Sequence, residues 1–289
     1  MLTEIKSKVM KNGFNIYGIV VIKDGVKIAE HHFLPEERRQ TYSVTKSFTS
    51  TAVGIAIKEG YFSLEDNLLK FFEEDIPKDM PQSHLDNLQR VTVKRLLTMS
   101  IKDYSFGRLT CNNWLQHILS IPLPNVGQEV FEYSNLTSYL AGVIVEKTTK
   151  ANMMDYLESR LLSPLGIKNV ECEYSPEGYF YGSTGMKLTI NELSRFGQLY
   201  LQEGSYDGKQ LLTKDWVASA TKKQIETREG GYGYYFWRYY ENSYRASGTR
   251  GQVSIVIPEK NAVIAVMSDL ENDREEIRKC IWNSIYPRL

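Results

Sequence analysis

The chain has 289 residues, 42% hydrophobic and 24% charged, which is typical of a soluble globular protein with a real core, built as one large or two ordinary domains. Lys+Arg and Asp+Glu number 35 each, so the formal net charge is zero, and nothing suggests a nucleic-acid footprint. The longest apolar runs, such as Ala262-Val263-Ile264-Ala265-Val266-Met267, fall far short of the ~20 residues that span a membrane.

Cys111, Cys172 and Cys280 are odd in number and scattered. They read as free thiols of a reducing compartment, with neither a disulfide framework nor zinc spacing, so no metal or other cofactor is expected. The first eight residues contain no apolar signal-peptide core, which points to a cytoplasmic location.

Residues 16–22 are β-branched, Lys23-Asp24-Gly25 is a turn, and residues 26–30 alternate. Together they predict a hairpin with an Asp-Gly turn. His31-His32 then fall in a polar loop or at a strand end. With no further His or Cys at ligand spacing, they are not expected to bind metal.

Residues 41–57 open as a polar turn and become a helix, with Val44, Phe48, Ala52, Ile55 and Ala56 on one apolar face. Ser43 sits at or just inside the N-terminus of that helix, where backbone N–H groups have no intrahelical partner. Lys46 follows three residues later, on the same face. A hydroxyl with an amine beside it is the geometry of an activated serine nucleophile. The plainer reading is a capping serine followed by a solvated lysine. The spacing recurs as Ser219-Ala220-Thr221-Lys222, but that copy looks like a frayed surface helix end, whereas the first leads into a long apolar helix.

Residues 68–167 read as mostly helical, with helices at 92–99, 137–147 and 153–162. Beyond Gly182 come helices at 189–202 and 213–221, strands at 232–237, 253–257 and 262–268, and a final helix at 273–286. Strands at both ends with helices between them imply one sheet built from both termini. The expected architecture is a single α/β (α+β) domain over 1–289, with sheet-containing parts at about 1–65 and 182–289 and a helical part at about 66–181.

Two further segments carry polar side chains suited to chemistry. Tyr133 and Asn135, two apart in an extended loop, point the same way. Tyr240-Glu241-Asn242 repeats that spacing, so context must separate the two. Arg245-Ala246-Ser247-Gly248-Thr249-Arg250-Gly251 leads into a strand, and its glycines allow close backbone approach to a ligand.

Taken together, Tyr42-Ser43-Val44-Thr45-Lys46-Ser47-Phe48, Arg95-Leu96-Leu97-Thr98-Met99, Phe131-Glu132-Tyr133-Ser134-Asn135, Pro164-Leu165-Gly166-Ile167 and residues 191–200 resemble the serine β-lactamase and penicillin-binding-protein superfamily. More narrowly, the chain is similar to the class C β-lactamase-related esterases and amide hydrolases, including the 6-aminohexanoate-dimer hydrolase type. The resemblance implies a β-lactamase-like fold, an antiparallel sheet flanked by helices, with the site between sheet and helical region. It implies that Ser43 is the acylated nucleophile, that Lys46 and Tyr133 activate it with Tyr133 as general base, and that Asn135 hydrogen-bonds Lys46 or a substrate amide. Ser247, Gly248, Thr249 and Arg250 would border the substrate, with backbone N–H groups of Ser43 and Thr249 as the oxyanion hole.

Free Tyr and Lys both have pKa values near ~10, so only a shared, shielded site makes either one a base at neutral pH. The Lys-Thr-Gly common in the third motif is here Ala246-Ser247-Gly248, so its lysine is missing. That argues against β-lactams, whose carboxylate needs a cation, and for small neutral esters or amides. Period two places Arg250 on the strand face of Ala246, where it could replace the cation. The alternatives are a β-lactamase or D-amino-acid peptidase, and a non-catalytic acyl-accepting sensor. The expected partner is a small-molecule ester or amide, with no nucleic acid or membrane, and the oligomeric state is left open.

Overall fold

The computed structural model describes residues 1–105, 109–271 and 274–289. Its frame is a six-stranded antiparallel sheet formed by β1 (Ile16–Lys23), β2 (Val26–His32), β3 (Trp237–Arg238), β4 (Tyr244–Ser247), β5 (Val253–Ile257) and β6 (Ala262–Ser268). The spatial order is β2-β1-β6-β5-β4-β3. A strand from the start of the chain therefore pairs with one from its end, with Ile19 opposite Val266 and Val21 opposite Ile264.

Successive side chains on a strand point to opposite faces, and both faces of this sheet are covered. Ile19, Val21, Ile255 and Ile264 pack with the helices α1 (Thr3–Asn12) and α5 (Arg274–Ile285). Val20, Ile22, Val256 and Val263 face the main core, against α4 (Ile190–Leu201). Thr189 and Glu192 close a reciprocal capping box at the start of α4. Gly197 lets that helix lie close to the sheet, since a Cβ there would stand 2.3 Å from Ser254 Oγ and 2.7 Å from Val263 Cγ1.

The helix that follows Ser43, α2 (Thr45–Lys58), is enclosed on all sides along Thr45–Ala56 rather than on a single apolar face. It is packed against α3 (Asn135–Thr149), and Phe48 stacks on Phe196 of α4 with ring centroids 3.9 Å apart. Its polar side chains are therefore buried, and apart from Ser50 Oγ, which has no partner, its hydroxyls are hydrogen-bonded, because an unbonded buried hydroxyl is costly. Ser47 Oγ donates to the Tyr235 carbonyl at 2.8 Å, and Thr49 Oγ1 to the Gly182 carbonyl at 2.8 Å.

Several elements differ from the sequence expectation. The hairpin turn carries Asp24 and Gly25 at φ 51° and 77°, as an Asp-Gly hairpin turn requires. Its second strand, however, runs on through His31 and His32, and His32 Nε2 lies 2.8 Å from Glu30 Oε1. Helix α1 was not expected, because only Ile5 and Val9 mark its buried face. The 153–162 helix is α-helical over Met153–Leu157 and becomes a π-helical turn over Glu158–Leu162. Residues 232–237 contribute only Trp237 to the sheet, because Tyr235 at φ 61° turns the chain. The expected start of the last helix, Asp273, lies outside the described residues. Among the described residues, no helix is long and apolar enough to cross a membrane.

Candidate active site

Ser43 lies in a single 3-10 turn, Tyr42–Val44, that feeds directly into α2. The turn is held from both sides. Thr41 donates its N–H and its hydroxyl to the Met186 carbonyl, at 2.9 and 2.8 Å. Gly248 approaches so closely that a Cβ there would sit 2.2 Å from the Thr41 carbonyl oxygen. Between these clamps Tyr42 adopts φ 50°, a left-handed conformation that costs a residue with a Cβ roughly 1–3 kcal/mol. The surrounding bonds sustain it, and Ser43 is presented to a cleft of about 490 Å³.

Lys46 is 1% exposed. Its Nζ lies 3.1 Å from Ser43 Oγ, 2.7 Å from Asn135 Oδ1 and 2.9 Å from the Ser183 carbonyl oxygen. The last two atoms can only accept, so each takes an N–H from the amine. A neutral amine has two N–H groups and one lone pair, and the remaining direction faces Ser43. Burial brings the amine down to about 7, because an ammonium in a shielded site loses its hydration. Ser183 is itself fixed, its hydroxyl donating to the Asn135 carbonyl at 2.7 Å. A backbone carbonyl has no side-chain signature, so Ser183 was not foreseen. The only sequence hint is its glycine-flanked setting, Gly182-Ser183-Thr184-Gly185.

Tyr133 precedes α3, and its ring stands 4.9 Å from Lys46 Nζ. The ring is 37% exposed along the cleft and stacks on Trp237 at 5.8 Å. Burial of the hydroxyl end pushes the phenol up to about 12, and a hydrogen bond with Ser43 pulls the other way. Burial thus shifts the amine down and the phenol up, each toward its neutral form.

The third segment reaches the same cleft, which Ser247, Gly248 and Thr249 line together with Ser43, Tyr133 and Trp237. The expectation for Arg250 is corrected. Strand β4 ends at Ser247, residues Thr249–Gly251 form a 3-10 turn, and Arg250 sits at φ 61°. The period-two relation to Ala246 is therefore broken. The Arg250 guanidinium turns to Asp269 at 2.6 Å and Glu271 at 3.4 Å instead of lining the cleft. Ala246 is buried at 1% exposure. Period two holds one residue earlier, where Arg245 and Ser247 both border the cleft. Of the aromatic run at 232–240, Tyr232, Tyr235 and Phe236 are core, while Trp237 walls the cleft.

The two decoy motifs lie elsewhere. Ser219 is in the last turn of the helix Lys214–Thr221, followed by the exposed Lys222. Tyr240-Glu241-Asn242 is a surface turn whose Asn242 bonds Glu259 at 3.0 Å.

An antiparallel sheet with a Ser-x-x-Lys helix beneath it and a Tyr-x-Asn loop beside it defines the β-lactamase and penicillin-binding-protein fold class. The family profile described as Beta-lactamase matches residues 11–281, and the chain belongs to that family. Its sequence is 22% identical over 239 residues to the 6-aminohexanoate-dimer hydrolase of Paenarthrobacter ureafaciens, covering 73% of this chain and 59% of that relative's length. It is 24% identical to protein flp of Staphylococcus aureus over 53% of this chain and 32% of flp. Among solved structures, a class C beta-lactamase mutant superposes with a TM-score of 0.80 at 16% identity, over 100% of this chain and 96% of that one. An octameric penicillin-binding protein homologue from Pyrococcus abyssi gives 0.73 at 21%, over 98% and 76%. At these identities the structural likeness speaks for the fold, and the family and its hydrolase relatives make this a member of a serine hydrolase family.

Proposed function

We propose that the protein hydrolyses a small ester or amide through an acyl-enzyme on Ser43. The observation that carries the reading is the bonding around Lys46, whose Nζ lies 3.1 Å from Ser43 Oγ and is held by two fixed acceptors; in the neutral amine these take both N–H groups and leave the lone pair to Ser43. In this scheme neutral Lys46 accepts the Ser43 proton as Oγ bonds to the substrate carbonyl carbon. The carbonyl π electrons move to oxygen, where N–H groups of Ser43 and Thr249 would stabilise the charge. One such donor is worth about 10²–10³ in rate. Collapse breaks the bond to the leaving group, which takes a proton from the Tyr133 phenol, and Lys46 returns a proton to Tyr133. Water then attacks the acyl carbon with the same pair as base and acid, releasing the carboxylic acid and restoring Ser43.

Asn135 holds the amine in register and is a positioning residue here. The cleft suits a small substrate, and the Tyr133–Trp237 wall offers a flat surface for an acyl chain or an aryl ester. Ala246 brings no cation and Arg250 is committed to Asp269, which favours esters and amides over β-lactams. The test is a panel of short-chain p-nitrophenyl esters, nitrocefin and D-amino-acid amides, combined with a fluorophosphonate probe and peptide mass spectrometry. The expected result is ester turnover with the label on Ser43. Label on Ser219, or equal labelling of Ser43→Ala, overturns the reading.

A further inference from the structure

Thr41, Thr45 and Thr49 recur every fourth residue, and all three are fully buried. Thr45 and Thr49 lie on one face of α2, Thr41 stands just before the 3-10 turn, and the segment 182–186 runs along all three. Thr41 donates to the Met186 carbonyl, Thr45 Oγ1 accepts the Met186 N–H at 3.3 Å, and Thr49 Oγ1 donates to the Gly182 carbonyl. The segment is thus laced at both ends to the stretch that carries Ser43 and Lys46. Between those ends lies the Ser183 carbonyl, which accepts from Lys46 Nζ.

On its other side the segment meets α3 at Ser138. Gly182 has φ 69°, and a Cβ there would stand 2.6 Å from the Ser138 carbonyl oxygen and 3.4 Å from Thr49 Oγ1. The chain is therefore wedged between two helices in a conformation that suits glycine. One residue on, Ser183 Oγ lies 2.7 Å from Ser138 Oγ, and the two hydroxyls reach the Asn135 carbonyl oxygen at 2.7 and 3.1 Å. Either hydroxyl can give its proton to the other while the other bonds the carbonyl, so this buried triangle is complete. It ties together Asn135 and Ser183, the two residues that supply the amine with its acceptors.

Thr51 shows what a purely structural hydroxyl looks like on the same helix. It is equally buried, donates to the Ser47 carbonyl at 2.8 Å and meets the Tyr200 hydroxyl at 2.8 Å, and neither of those groups bonds Lys46. The Ser138–Ser183 pair instead bonds a residue that holds the amine at every contact. Resting on the reading of Lys46 as the base that activates Ser43, we propose that the Ser138 and Ser183 hydroxyls are positioning groups for the reaction. They fix the Ser183 carbonyl relative to Asn135 Oδ1 and so aim the Lys46 lone pair at Ser43 Oγ. They act through Lys46 and not on the substrate, so their loss belongs in kcat and not in KM.

The test combines turnover of a short-chain p-nitrophenyl ester, the rate of fluorophosphonate labelling of Ser43, and 13C NMR titration of the Lys46 ε-carbon. Ser183→Ala keeps the backbone carbonyl and removes the tie. It is expected to lower kcat about 10- to 100-fold, the scale of a misaligned reacting group, with KM changed less than about threefold. Ser138→Ala should lose less, because Ser183 still bonds Asn135, and the double variant should be no worse than Ser183→Ala. In a Lys46→Ala background Ser183→Ala should alter the labelling rate less than about two-fold. The Lys46 titration, near 7 in wild type, should move up by at least about half a unit in Ser183→Ala as the loosened wedge admits water, and should stay in place in Thr51→Val. Tyr133, whose ring faces the amine at 4.9 Å, is the titratable neighbour, so the titration is repeated in Tyr133→Phe. A loss that sits in KM, a loss that persists in full without Lys46, or an unmoved titration overturns the proposal. Failure of the acyl-enzyme reading shows instead as unlabelled Ser43 in wild type, and the titration still decides whether the hydroxyls hold the amine.

Discussion

The chain carries the same four-residue spacing twice, and only one copy sits in a site. Ser43 and Lys46 lie where a 3-10 turn enters an enclosed helix, with Asn135 and the Ser183 carbonyl closing around the amine. Ser219 and Lys222 lie at a helix end whose lysine is exposed. Helical spacing makes serine and lysine neighbours in both places. What differs is desolvation, which turns an ordinary ammonium toward a neutral amine, and the fixed acceptors that orient that amine.

The comparison is broken or sharpened first at the serines. Ser43→Ala is expected to remove ester turnover by a factor of at least about 10³, while Ser219→Ala leaves kcat/KM unchanged. Equal losses would erase the distinction. Next come the lysines. Lys46→Ala should reduce kcat by several orders of magnitude and Lys222→Ala should not. Because Lys46 and Tyr133 hand over one proton, Tyr133→Phe added to Lys46→Ala should cost little more. Fully multiplicative losses would show that the two act separately.

The same contrast has a pH form. Lys46 is held near 7 against an ordinary 10.5, so kcat/KM should rise with pH through about 7 as the amine loses its proton. Stability follows the same direction. Between about pH 7 and 10.5 the unfolded chain binds a proton that the folded site does not, so stability contributed by this group increases with pH. Below about 7 both states are protonated and the full cost of the buried charge is felt. Each unit is worth ~1.4 kcal/mol, a total on the order of a few kcal/mol. Lys46→Met should therefore be stabilised over wild type most at low pH. A urea midpoint difference that is the same at about pH 6 and about pH 9 would contradict this.

Smaller effects test the third segment. Gly248→Ala would drive a methyl group into the Thr41 carbonyl, with an expected loss of about 1–3 kcal/mol and a fall in kcat/KM. An unchanged urea midpoint would argue that the turn relaxes freely. Arg250→Ala, away from the cleft, should change ester kcat/KM by less than about two-fold. A larger selective loss on carboxylate-bearing substrates would return the anchoring role to Arg250.

The fold was legible where side chains repeat with a period. Short β-branched and apolar runs exposed β1, β5 and β6, alternation exposed β2, and three-and-four spacing exposed α2 and α4. Ser43, Lys46, Tyr133 and Asn135 were legible as a group because they meet one another through their side chains and each sits at a fixed offset from a helix start. Ser183 was not, since it offers a backbone carbonyl. Arg245 was passed over because period two was projected forward to Arg250, across a strand end at Ser247 that the residues themselves do not announce. Helix α1 escaped because two buried residues make too weak a stripe.

The partnership of β1 with β6 has a consequence for biosynthesis. The β1–β2 hairpin leaves the ribosome before β6 is made, with one edge of β1 bare until Ala262–Ser268 has followed. Such an edge is a template for pairing with other chains, and long-range closure of this kind is slow. Until β6 is made the nascent sheet is exposed to aggregation, with Ser43 already synthesised and the cleft around it still unbuilt. A chain ending before residue 258 should be insoluble or unlabelled by fluorophosphonate, and a soluble, labelled product would show that the sheet can close without its last strand.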